Sequence, residues 1–375
     1  MKENSLIKVL FTIPNFDTAG SGKALLNIAS RLDNNLFEPH IACMHDKGDY
    51  FNIVEKSGIP VHILQFTTPM IGRIKGILNC WKISKLMKKI NPHIIHSFHY
   101  AADYSEVIAA RMAGIPWIYT KKNMNWGGNS KNGWKLRSFL AAHILAQNTD
   151  MIRFFFPHWK NVSLVPRGVN TDKFFFEEKD TELINKYNIA ANEKVILTVA
   201  NLVPVKGIEI LLDALQLFSR NDCSFRLFIV GDKNNNYGKE MEKKASMNTL
   251  SSKIHFVGKV QDVKKYYSIT DIFVLPTLDL GRREGSPVSL LEAMSCNLPV
   301  IASDISGVND ILEPFPDTNF KAGDISALNK LLKKMLCNYN LHSGMELNYR
   351  SYIKNNFDIS LEVSRHENIY KNLLK

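Results

Sequence analysis

Short apolar runs alternate with longer segments of helical periodicity from one end of the chain to the other. In the first half the runs predict strands at Lys8–Ile13, Glu38–Met44, Val61–Gln65, His93–Phe98, Trp117–Lys121, Ile144–Gln147 and Val162–Val165. In the second half they predict strands at Val195–Ala200, Phe225–Val230, Ile254–Val257, Asp271–Leu275 and Val300–Ala302. Continuous Val, Ile, Leu and Phe, without polar alternation, is the pattern of parallel strands buried on both faces. Such strands separated by helices predict an α/β chain of two successive doubly wound domains. A length of 375 residues also suits two domains rather than one. Periodicity lapses over VPRGVNTDKFFFEEKD, Val165 to Asp180. The lapse sets an N-terminal domain at 1–167 and a C-terminal domain at 168–358, with a final helix over 359–375.

Charge divides along the same line. Residues 1–167 carry 21 Lys/Arg against 10 Asp/Glu, and the remainder carries 26 of each, so the net +11 belongs to the first half. An excess of that kind implies an anionic partner for the N-terminal domain, such as a membrane surface, a lipid pyrophosphate or a nucleic acid. Within it, Ile71–Ile90 predicts a basic amphipathic helix with Ile74, Ile77, Leu78, Trp81, Leu86 and Ile90 on one apolar face. That face is expected to pack on the domain's own sheet, while the lysines are free to meet an anionic bilayer. No apolar run is long enough to span a membrane, and the first residues lack the features of a secretory signal. The five cysteines are scattered with no CxxC spacing, which argues against a disulfide framework or a zinc site. The expected location is the cytoplasm, with association at the inner face of the cytoplasmic membrane.

The densest candidate chemistry is EGSPVSLLEAMSCNLPVIAS, Glu284 to Ser303. A strand precedes it, a polar loop carries Glu284, and Gly285, Ser286, Pro287 and Val288 open a helix bearing Glu292. Proline suits the first helical turn, where its missing N–H costs nothing. The unpaired N–H groups of that turn form an anion site, here flanked by two carboxylates. Elsewhere, ANLVPVKG places Asn201 and Lys206 after a strand, and TAGSGKA places Gly20 and Gly22 at the start of a helix. The latter is neither a Walker loop nor a dinucleotide fingerprint, because Asp17, Ala24 and Leu25 occupy positions those motifs reserve.

The Glu, seven residues, Glu spacing, with the EAM triplet and the PVIAS strand, resembles the retaining GT-B glycosyltransferases, most closely glycosyltransferase family 4. The resemblance implies two Rossmann-like domains facing a central cleft, with a nucleotide sugar held mainly by the second domain and the acceptor by the first. It implies that Glu284, with the N–H groups of Gly285 and Ser286, positions the donor sugar, and that Glu292 accepts the ribose hydroxyls. Lys206 then stabilises the departing nucleotide diphosphate. Asn201 stands where the family usually has Arg, which removes one cation. FVGK resembles the family's base-binding turn, with Val257 and Lys259 flanking the nucleobase. His96 and His99 resemble its HxH segment, which makes His99 a catalytic candidate, although a buried hydrogen-bonded histidine is an equal reading of each. Lys122 replaces a usual donor-sugar His, and Lys121 or Lys122 is a candidate phosphate contact, as are Arg282 and Arg283. Gly231, Asp232 and Asp310 match weaker family turns.

The resemblance implies a metal-independent, cofactor-free hexosyl transfer, with a UDP-sugar favoured as donor. The expected acceptor is a glycan or lipid-linked oligosaccharide of cell-surface polysaccharide or lipopolysaccharide synthesis. No Asp-x-Asp pair is present to hold a metal. The alternatives are a non-catalytic module for anionic surfaces or nucleic acid, for which the sequence offers no basic–aromatic stacking motif, or another GT-B enzyme such as a sugar-nucleotide epimerase. Nucleic acid is not an expected partner.

Overall fold

The computed structural model describes residues 6–17, 19–48, 50–126, 131–218, 223–247, 250–280, 284–337 and 346–375. By its contacts the chain forms two units, Met1–Pro166 with Ser360–Lys375, and Arg167–Ile359.

The first unit holds a parallel sheet of seven strands: β1 (Ile7–Thr12), β2 (Phe37–Cys43), β3 (Val61–Ile63), β4 (Ile94–Ser97), β5 (Trp117–Lys121), β6 (His143–Ala146) and β7 (Val162–Leu164). Their order is β3-β2-β1-β4-β5-β6-β7. Helices cover both faces, as the continuous apolar strands require. One face packs Leu10, Ile95, Trp117 and Tyr119 against Cys80, Val107 and Trp134 from helices. Helix Ile359–Leu373 packs on the strands as well: the ring of Tyr370 meets Phe11 and Phe37 edge-on.

The second unit holds six parallel strands: β8 (Lys194–Val199), β9 (Phe225–Val230), β10 (Ile254–Gly258), β11 (Ile272–Leu275), β12 (Val300–Asp304) and β13 (Asn319–Lys321), ordered β10-β9-β8-β11-β12-β13. Successive residues serve opposite faces, as strand geometry dictates. Leu197, Phe228, Phe273 and Val300 enter one core, and Ile196, Leu227, Val274 and Ile301 enter the other. Strand β13, NFK, has no apolar run, and the sequence pattern does not predict it. It pairs at the sheet edge, where one buried Phe320 suffices.

In each sheet the strand order reverses once, between β1 and β4 and between β8 and β11. Loops leaving the carboxyl ends of such strands converge on the crevice where ligands bind in doubly wound folds. The first reversal gathers the loops that lead to Gly20 and His99. The second gathers those that carry Lys206 and Glu284.

The basic helix Arg73–Ile90 corrects the sequence expectation. Its buried face is Gly76, Cys80, Ile83, Ser84 and Met87, not the large apolar row. Ile74, Ile77, Leu78, Trp81 and Leu86 are exposed. Small residues win the inner face because the helix lies close to its neighbours: a Cβ on Gly76 would come within 2.9 Å of the Met70 sulfur, and the Cys80 thiol meets the Ser105 carbonyl at 3.6 Å.

Candidate active site

Lys206 ends a single helical turn, Pro204–Lys206, in the loop that follows β8. Gly207 follows with φ +62, and a Cβ there would sit 2.1 Å from the Pro276 carbonyl oxygen. Only glycine combines that backbone angle with that approach. The turn is tied to the loop after β11 by a hydrogen bond from the Leu278 N–H to the Val205 carbonyl, 2.8 Å. The result is an ion pair between Lys206 Nζ and Glu284 Oε1, with the two side chains 19% and 15% exposed. Two residues far apart in sequence thus meet at the reversal point of the sheet, partly shielded from water, where Coulomb attraction is stronger than at a solvated surface. Asn201 is exposed at the start of the same loop.

Helix Val288–Ser295 follows Glu284. Pro287 is its N-cap rather than part of its first turn, with φ −76 and ψ 105. Its carbonyl accepts from Leu290 N–H at 3.2 Å, so the amides of Val288 and Ser289 precede the first intrahelical bond. These amides give the helix start its positive character. Glu292 lies one turn further on and is 6% exposed. The hydroxyl of Tyr267 donates to Glu292 Oε2 at 3.0 Å. Burial, then the Glu292 charge, pushes the Tyr267 phenol well above its ordinary range, so it stays a donor. Nothing in the KKYYS segment marks Tyr267 as a partner of Glu292, because the contact crosses 25 residues.

At the edge of the same sheet the β9–β10 register shifts between Phe256 and Gly258, leaving Val257 without a counterpart on β9. Such a shift takes one residue's backbone out of the ladder. Lys259 is exposed and pairs with Asp232 at 3.2 Å. The Gly231 N–H binds the Gly258 carbonyl at 3.0 Å, which joins the loops after β9 and β10. Asp310 lies in the first turn of a short helix, Asn309–Leu312.

In the N-terminal unit, helix Ala19–Ala29 begins after β1 and contains both glycines. They differ. A Cβ on Gly20 meets nothing within 4 Å, whereas one on Gly22 would lie 2.7 Å from the ring of Phe16. Gly22 therefore has a packing reason to lack a side chain, whether or not its backbone meets a ligand. Gly20 borders open space. Gly22→Ala is expected to destabilise the fold by roughly 1–3 kcal/mol through overpacking. Gly20→Ala is expected to match or exceed the parent in stability, since alanine is the better helix former. Thermal unfolding of the two variants checks the contrast.

Lys122 leaves β5 and donates to Ser21 Oγ at 3.1 Å and to the Phe98 carbonyl. It thereby joins the first turn of helix Ala19–Ala29 to the loops after β4 and β5. Lys121, by contrast, is fully buried. Its ammonium lies 4.2 Å from the Phe155 ring centroid, with Trp126 at 5.2 Å, and donates to the Asn123 carbonyl at 2.6 Å. Burial lowers its pKa to about 7. Lys121 braces the 122–126 loop, and the expectation that it contacts a phosphate is corrected: an enclosed ammonium has no access to a ligand.

His96 is also fully buried. Its Nδ1 pairs with Tyr370 Oη at 2.7 Å and its Nε2 with Thr120 Oγ1 at 2.9 Å, so it is a structural histidine. His99 differs, because its Nδ1 is buried without a hydrogen-bond partner among the described residues. Burial first, then the charges of Arg137 and Lys122, lowers its pKa to about 3, so the ring is neutral at physiological pH. Its carbonyl accepts from the buried Arg137 guanidinium at 2.6 Å. Arg137 and the buried Glu106, which accepts from Ser97 at 2.8 Å, hold this loop from beneath. Neither carries a sequence signal, since each reads as an ordinary charged residue of a helix. Arg282 and Arg283 lie outside the described residues.

Residues 179–354 match the family described as glycosyl transferases group 1, and residues 18–173 match glycosyltransferase family 4. The UDP-Gal:alpha-D-GlcNAc-diphosphoundecaprenol alpha-1,3-galactosyltransferase of Escherichia coli is 26% identical over 360 residues, 90% of each chain. The N,N'-diacetylbacillosaminyl-diphospho-undecaprenol alpha-1,3-N-acetylgalactosaminyltransferase of Campylobacter jejuni is 24% identical over 280 residues, 69% of this chain and 71% of the relative. Among solved structures, a glycosyltransferase of Rickettsia africae superposes over 99% of both chains with TM-score 0.85 and 20% identity. Anabaena HepE in complex with UDP superposes over 97% of this chain and 100% of its own, with TM-score 0.83 and 18% identity. Both share the fold. Two doubly wound parallel sheets, a lysine and a glutamate paired at the second reversal point, and family matches over both halves lead to one assignment: the chain belongs to the family 4 glycosyltransferases and has the GT-B fold.

Proposed function

We propose that the enzyme transfers a sugar from a UDP-sugar to a glycan or lipid-linked acceptor in cell-surface polysaccharide synthesis, with retention of anomeric configuration and without a metal. The observation that carries this reading is the Lys206–Glu284 pair beside the start of helix Val288–Ser295. A donor diphosphate entering there meets a cation and a helix N-terminus, both suited to its charge. Glu284 then exchanges part of its pairing with Lys206 for the sugar hydroxyls, and Glu292 receives the ribose. The anomeric C–O bond to the diphosphate breaks and the acceptor oxygen bonds on the same face. The acceptor proton passes to the departing diphosphate, whose growing charge Lys206 stabilises. His99, neutral and with Nδ1 lacking a hydrogen-bond partner among the described residues, is the candidate for a polar contact to a ligand at the carboxyl end of β4. The UDP preference is supported by the UDP-Gal donor named for the Escherichia coli relative and by UDP in the HepE complex. The lipid-linked acceptor is supported by the undecaprenol diphosphates named for two relatives.

A melting-temperature panel of UDP-, GDP- and ADP-sugars tests the donor. A ligand at 100 times its Kd stabilises the fold by about 2.7 kcal/mol, a rise of several degrees for a chain of this size. UDP-sugars are expected to give the largest rise. No rise with any nucleotide sugar at millimolar concentration refutes the reading.

A further inference from the structure

Helix Arg73–Ile90 has a second apolar face that no part of the chain covers among the described residues. Ile71 just before it is 90% exposed, and Ile74, Leu78 and Trp81 are 78%, 55% and 50% exposed. At 100° per residue, Ile74, Leu78, Trp81 and Lys85 fall on the side opposite the buried Gly76, Cys80, Ile83 and Met87. Ile74, Ile77, Leu78 and Trp81 stand in the first half of the helix beside Arg73 and Lys75, and Lys82, Lys85, Lys88 and Lys89 crowd the second half beside Leu86. Trp81 and Lys85 join the two halves, with the ammonium 3.5 Å from the ring centroid. No acidic residue occurs between Ile71 and Ile90, although this is an exposed helix in a chain with 36 Asp and Glu.

We propose that this face docks the N-terminal unit on an anionic lipid surface, with the Ile71–Trp81 row entering the interface and the lysine rows meeting headgroups. An apolar ridge beside unopposed cations matches the two components of such binding, burial of nonpolar area and attraction to negative lipid. Tryptophan and lysine both keep a polar tip in water while their bodies lie in an apolar layer. The charge excludes the simplest competing occupant. A second copy in a symmetric contact would set the same row of cations against itself. A nucleic acid would use the cations but leave the aliphatic ridge in water. The inference rests on this surface and not on the identity of the donor or acceptor, so it stands or falls apart from the catalytic reading.

Co-sedimentation of the full chain with vesicles tests it. Vesicles of phosphatidylcholine with phosphatidylglycerol are compared with pure phosphatidylcholine at about 0.1 M salt, inside the range where surface charges still act. The protein is expected to sediment with the anionic vesicles only, and to be released by high salt. The variant with Lys82, Lys85 and Lys88 each changed to Gln is expected to partition on the order of a hundredfold more weakly. Ile74→Ser with Trp81→Ser is expected to lose binding even at low salt. All these side chains are exposed, so melting temperatures should match the parent and separate lost docking from lost folding. The proposal is overturned by no anionic-vesicle binding, by equal binding to phosphatidylcholine, or by variants that partition like the parent. A dimer dispersed by the Ser variant, or a DNA oligonucleotide bound as tightly as the vesicles, also overturns it.

Discussion

Lys206→Ala is expected to lower kcat/KM for the nucleotide-sugar donor by roughly 10²–10³-fold, the scale on which preorganised groups aimed at developing charge act. The effect has two sources. The departing diphosphate loses its cation, and Glu284, now unpaired, opposes the incoming phosphates. Asn201 at the other end of the loop carries no charge to compensate. The fold should survive, because Gly207 and the bond from Leu278 N–H to the Val205 carbonyl set the loop, not the lysine side chain. Steady-state kinetics at varied donor concentration is the check, with a melting curve for integrity. A loss of less than about tenfold would remove Lys206 from the transition state.

Glu292→Gln is expected to weaken donor binding by roughly ten- to a hundredfold, the value of a hydrogen bond to a charged group. Tyr267 supplies a sharper control. Its hydroxyl touches Glu292 and the Ser289 carbonyl, and its ring is buried in the core. Tyr267→Phe removes only the hydroxyl and is expected to weaken donor binding a few-fold. If Tyr267 acts by orienting the carboxylate, the double variant binds no more weakly than Glu292→Gln alone, because residues that act as one unit are not additive. Independent, additive losses would show that Tyr267 supports the fold rather than the site.

Much of this was legible in the chain because parallel sheets and turns write themselves into local sequence. Twelve strand segments appear as apolar runs. The helix-opening EGSPV and the KG turn keep Glu284 and Lys206 in recognisable contexts. Local pattern fails where the deciding contact is distant or where size matters more than hydrophobicity. Gly22 reads like Gly20 until Phe16 is seen against it. Lys121 and Lys122 are adjacent, yet the strand's alternation sends one into an aromatic enclosure and the other toward Ser21. Tyr267, Glu106 and Arg137 act across the fold and leave no local trace. In helix Arg73–Ile90 the large apolar residues drew attention to the wrong face, because close helix packing selects Gly, Cys and Ser. The assignment of the chain to a glycosyltransferase family removes the non-catalytic binding module as an account of the whole protein.

Calorimetric titration of the preferred nucleoside diphosphate against its bare nucleoside, on the parent and on Lys206→Ala, isolates the diphosphate clasp whichever base the enzyme selects. The parent should bind the diphosphate far more tightly than the nucleoside, and in the variant the ratio should fall toward one while nucleoside affinity holds. An undiminished ratio in Lys206→Ala would mean that the phosphates are held elsewhere.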